Sequence, residues 1–116
     1  MHNDPEPTDA AAAEERASLT DIFRFAMMQK LCVSVTYNNM EMLIAPHMLW
    51  TKHGDLHVDA VTVERAGGVP KISKIGTFKL AGLSRVALTA RQFRVHPDWS
   101  ATDPKYDEAR VARVER

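Results

Sequence analysis

The sequence predicts a mainly β chain of α+β character: one N-terminal helix, then a five-stranded, strongly bent antiparallel barrel, then an extended C-terminal arm. Three observations predict it. Residues 41–63, EMLIAPHMLWTKHGDLHVDAVTV, read as two long strands folded back at His53-Gly54-Asp55. Residues 33–37, VSVTY, alternate and are β-branched, as a half-buried strand requires. Further short apolar runs follow with tight links after a single helical segment, which points to a small, strongly bent antiparallel barrel.

Along the chain, residues 1–17 are rich in Ala and acids and hold no large apolar residue after Met1. They cannot bury enough surface to offset their ordering entropy, so an acidic, mobile leader with at most a nascent helix is expected. From Ser18 the pattern changes. Leu19, Ile22, Phe23, Ala26, Met27 and Lys30 fall at helical spacing, and Ser18 or Thr20 is placed to cap an amphipathic helix of about three turns. Asn38-Asn39 forms the turn after the first strand.

In the long hairpin, Gly54 supplies a positive φ without steric cost. Pro46 has no N–H for a ladder, which places it at an edge or at a bulge where its strand bends. Residues 65–70, RAGGVP, form a flexible connection, and residues 71–79, KISKIGTFK, a fourth strand with Gly76 as a candidate bulge. The short Leu80-Ala81-Gly82 link leads to a fifth strand over 83–89. Beyond it, Phe93, Val95 and Trp99 are spaced through Pro97 and Pro104 as an arm packed on the barrel. Asp103-Pro104 is placed to open a short helix reaching about Val114.

At 116 residues the chain holds one core. The expected organisation is a leader over 1–17, a barrel domain over 18–90 and an arm with a short helix over 91–116. The formal net charge of zero conceals an uneven distribution. Residues 1–21 carry net −5, residues 22–96 carry ten basic against four acidic residues, net +6, and the remainder carries −1. A basic fold attracts phosphate by releasing counterions, although the same surplus can serve solubility alone. The single cysteine, Cys32, excludes an internal disulfide and suits a reducing cytoplasm. No apolar run approaches bilayer length, and the acidic start is unlike an export signal, so no membrane partner is expected.

With these elements in place, the chain resembles the WYL domain family over about residues 20–89. Tyr37 stands where the family ends its first strand in tyrosine, Pro46 and Leu49 match "P-x-x-L", Gly54 matches the turn glycine, and Thr77-Phe78-Lys79-Leu80 stands at "T-F-R-L". The Trp-Tyr-Leu triplet is represented by Leu56-His57-Val58, and lysine replaces arginine at Lys79. The resemblance implies an Sm-like (SH3-like) barrel acting as a bacterial, non-catalytic, ligand-sensing module in transcription regulation. Its expected partners are a nucleotide or single-stranded nucleic acid and a protein partner, because residues 1–17 are too short and polar for a helix-turn-helix. No cofactor is expected. The resemblance and the residue chemistry together give Tyr37, His47, His57, Lys79 and Arg85 as candidate ligand-binding residues.

Each candidate has a plainer alternative. His57 can stack on a base or exchange a proton with phosphate, or can simply face water on its strand. Lys71 and Lys79, assigned to one strand face near Arg85, can bind phosphate or form a solvated face. His47, His53 and His57 with Asp59 suggest metal ligation, but their spacing fits no closed motif. Cys32, Ser73 and Ser84 lack the partners or elbow glycines of a nucleophile, and Gly67-Gly68 lacks the Lys-Ser/Thr of a phosphate loop, so an enzyme is not expected. A structural reading stands beside the sensor: such barrels pair through strand edges into homo-oligomers, with Trp50, Phe93 and Trp99 available to an interface.

Overall fold

A computed structural model describes residues 9–115, of which 9–13 and 15–17 enter by their backbone alone. Helix α1 spans Asp9–Gln29. It begins well before the expected cap, and Ser18 lies inside it rather than at its start. The Ala- and Glu-rich sequence of 9–17 carries the best helix formers, which extend the helix from the segment that packs. Within the expected leader over 1–17, residues 9–17 form the first turns of α1, and residues 1–8 lie outside the described chain. Phe23, Ala26 and Met27 are buried, the i, i+3, i+4 stripe foreseen for a core-facing helix. The helix stops at Lys30, whose φ of 55° turns the chain into the sheet.

Six antiparallel strands follow: β1 (Leu31–Tyr37), β2 (Met40–Lys52), β3 (Asp55–Arg65), β4 (Ile75–Lys79), β5 (Leu83–Gln92) and β6 (Arg110–Arg113). They run in the order β4-β3-β2-β1-β5, with β6 added to β2. The sheet is not closed, because β4 and β5 end the path without pairing to each other. Both predicted hairpins form. Asn38 and Asn39 have φ of 50° and 59°, and His53 and Gly54 have φ of 53° and 82°, the doubly left-handed turn that matches strand twist.

Strand β2 is the spine. Its Met40–Ile44 half pairs with β1, its Met48–Trp50 half pairs with β6, and β3 runs along the other edge throughout. The partner changes at Ala45-Pro46-His47, where the register with β3 shifts between Pro46 and Met48. Pro46 therefore sits at the bulge that its missing N–H demanded.

Other expectations are corrected. β4 starts at Ile75 rather than Lys71, since Ala66 and Gly67 take φ of 49° and 82° and residues 66–74 make a loop. Gly76 is no bulge; it pairs in regular register with Ala60. Asp103 does cap a helical turn, its carboxylate accepting from the Lys105 N–H at 3.0 Å, but that turn covers only Pro104–Tyr106. The chain then becomes β6, because the free edge of β2 offers ladder partners that a weakly periodic helix could not match.

The main core joins α1 to the sheet and to Trp99, Tyr106 and Val114 of the C-terminal segment. Trp50 and Trp99 are buried and Phe93 is half-buried against this core, so the aromatics considered for an interface are spent inside the chain. No helix among the described residues is long and apolar enough to cross a membrane.

Candidate functional site

The most highly connected polar group is Asp59, in the centre of β3 between Val58 and Ala60, all fully buried. A buried carboxylate is tolerable only when its oxygens are satisfied. The Trp50 indole N–H donates to Oδ1 at 3.0 Å and the Thr77 hydroxyl donates to Oδ1 at 2.7 Å. The Tyr106 hydroxyl donates to Oδ2 at 2.5 Å, and Lys105 Nζ lies 2.7 Å from Oδ2. The Trp99 indole N–H in turn donates to the Tyr106 oxygen at 3.2 Å. Burial pushes the Asp59 carboxyl up, but Lys105, Tyr106, Thr77 and Trp50 together outweigh it and hold the group below the usual carboxylate range. The Tyr106 hydroxyl is pushed well above the ordinary phenol range by burial and by the Asp59 carboxylate.

Five sequence-predicted residues were expected to gather on one surface, and the fold separates them. His47 is fully buried in the β2 bulge. Its Nδ1–H donates to the Ala45 carbonyl at 2.8 Å and its Nε2 accepts the His96 N–H at 2.9 Å, which fixes a neutral ring that ties the C-terminal segment to β2. Tyr37 packs edge-on against Phe78, with ring centroids 5.3 Å apart. Phe78 alternates along β4 with Thr77 and Lys79, so Tyr37 meets the face opposite theirs. His57 and Lys79 are cross-strand neighbours, but His57 Nδ1–H donates to the Asp55 carbonyl and Lys79 Nζ pairs with the Asp55 carboxylate at 3.2 Å. Arg85 stands apart, at an irregularity in the β1–β5 pairing with φ of 51°, beside Leu19 and Ile22 of α1. Among the described residues no group of three or more His, Cys, Asp or Glu is placed to hold a metal ion.

A different set of residues does converge. Where the 66–74 loop returns to the sheet, a concavity of about 500 Å³ is lined by Arg65, Lys71 and Lys74 together with Pro70, Ile72 and Phe78. Its lining includes no acidic side chain, and none of the three cations is in an ion pair among the described residues. Ile72 is 66% exposed, an apolar wall held open to solvent beside the charges. The sequence signal was present: Arg65, Lys71 and Lys74 occur without an acid between them. Reading 65–70 as a connector and 71–79 as a continuous strand dispersed cations that the loop brings together.

No protein-family model matches the sequence, and neither a curated protein nor a solved structure matches it significantly.

Proposed function

We propose that this chain is a non-catalytic regulatory module of WYL type, which binds a nucleotide or single-stranded nucleic acid and acts through a protein partner in transcription regulation. The observation that carries the reading is the Arg65–Lys71–Lys74 concavity. Three uncompensated cations beside the exposed Ile72 offer phosphate a charge-assisted site and a base an apolar surface. The ligand site thereby moves from the sequence-predicted set to the loop that follows β3. The open sheet is compatible with an Sm-like barrel parted at one seam, since β4 and β5 are joined by a single helical turn, Leu80–Gly82. The non-catalytic assignment is supported by Asp59, whose bonding capacity is consumed by its own neighbours rather than aimed at a cavity.

The test is anisotropy of a labelled single-stranded oligonucleotide, with AMP as competitor, across a salt series. Binding is expected to fall steeply with salt, and the double variant Lys71→Ala/Lys74→Ala is expected to weaken it at least tenfold. Losing two phosphate contacts should reduce the log–log salt slope by about 1.4, at roughly 0.7 per phosphate for single strands. Absence of binding at low salt, or a double variant that binds unchanged, removes the reading.

A second reading is assembly through strand edges. Among the described residues β5 pairs with β1 alone, so its other edge has no strand partner, and Leu88 on β5 is 41% exposed. A salt-insensitive oligomer in light scattering, with no oligonucleotide binding, favours this reading over the first.

A further inference from the structure

Behind the 71–75 segment, away from the cationic concavity, lies a second hollow of about 350 Å³. Its floor is a small apolar cluster separate from the main core: Cys32, Ala45 and Val61, with Val63 and Phe93 packed around them. The 91–97 segment closes one side and Ser73 the other, and His96 fixes their spacing by directing Nε2 at the Ser73 carbonyl, 3.3 Å away. The rim is cationic. Arg91 is engaged by Glu64, whereas Arg94 is in no ion pair among the described residues. His96 Nδ1 accepts the Asp98 N–H, which fixes the ring as part of the wall.

We infer that this hollow is a binding site for an aliphatic monocarboxylate of medium chain length, its chain against the half-buried Val63 and Phe93 above the Cys32–Ala45–Val61 floor and its carboxylate on Arg94. An apolar floor selects chain length by the area it buries, and a guanidinium presents a planar fork suited to a carboxylate. At about 350 Å³ the hollow lies at the small end of ligand-pocket volumes, which suits a medium chain over a long one. Cys32 is fully buried in the floor and contributes no chemistry, because burial pushes its thiol up from the ordinary range. The site stands independently of the nucleic-acid reading and uses none of its three cations.

The experiment titrates the full chain with octanoate, octanol and acetate, by calorimetry and by methyl NMR of Ala45, Val61 and Val63. Saturable octanoate binding is expected, at least tenfold tighter than octanol or acetate, with shifts confined to those methyls. Arg94→Ala, an exposed substitution that spares the fold, should reduce octanoate to the level of octanol. Val61→Phe, checked by circular dichroism for retained structure, should abolish binding by filling the floor. Equal binding of octanol, equal binding of acetate, an unaffected Arg94→Ala, or shifts elsewhere each overturn the proposal.

Discussion

The Tyr106 hydroxyl donates to Asp59 Oδ2 at 2.5 Å across 47 positions of sequence, and this bond fastens the C-terminal segment to the middle of the sheet. Around it, the polar cluster that most resembles an active site works as a fastener. A carboxylate with four partners inside an apolar layer specifies one placement of β3, β4 and the 99–106 turn.

The members of the cluster should differ in cost. Asp59→Ala leaves the buried Trp50 and Tyr106 donors without their acceptor and should lower stability by about 3–5 kcal/mol. Lys105 is 40% exposed, and Lys105→Ala should cost under about 1 kcal/mol. Urea unfolding of both variants measures the contrast; equal losses would place the stabilisation in the ion pair instead.

Stability should decline at both ends of the pH scale for identifiable reasons. Asp59 has a folded pKa below its unfolded value of about 3.9, so its contribution is complete above that pH and is lost as pH falls through the folded value. Tyr106 has a folded pKa raised above its unfolded value of about 10, so its contribution is complete below pH 10 and is lost as pH rises beyond it. Melting temperatures of Tyr106→Phe should show a smaller alkaline decline than the parent chain.

The hairpin turn offers a test of backbone conformation isolated from packing. A Cβ at Gly54 meets nothing within 4 Å, yet the φ of 82° is strained for an L side chain. Gly54→Ala should therefore cost about 1 kcal/mol, and Gly54→Asn, which tolerates the left-handed region, should cost less. Chemical denaturation reads both.

Lys79 and the loop lysines should separate in function. Lys79 already neutralises Asp55 and both are more than half exposed, so Lys79→Ala should change stability by less than about 0.5 kcal/mol. It should also leave oligonucleotide affinity within about twofold, whereas Lys71→Ala/Lys74→Ala abolishes most of it. Anisotropy on the two variants, side by side, decides which lysines face phosphate.

The sequence by itself determined the parts whose causes are local. Asn38-Asn39 and His53-Gly54 accept positive φ, which fixes two hairpins, and Pro46 cannot donate to a ladder, which fixes the bulge in β2. The Phe23, Ala26 and Met27 stripe likewise fixes which side of α1 meets the sheet. Only the tertiary structure decided the rest, because each remaining feature depends on a partner distant in sequence. β6 exists because β1 leaves half of β2's edge unpaired, His47 is buried because the 93–99 segment crosses its bulge, and Asp59 is tolerable because Tyr106 and Lys105 arrive from the far end of the chain. The cationic concavity has the same origin: a loop between β3 and β4 sets Arg65, Lys71 and Lys74 side by side, and the period of a strand carries no record of where a loop folds.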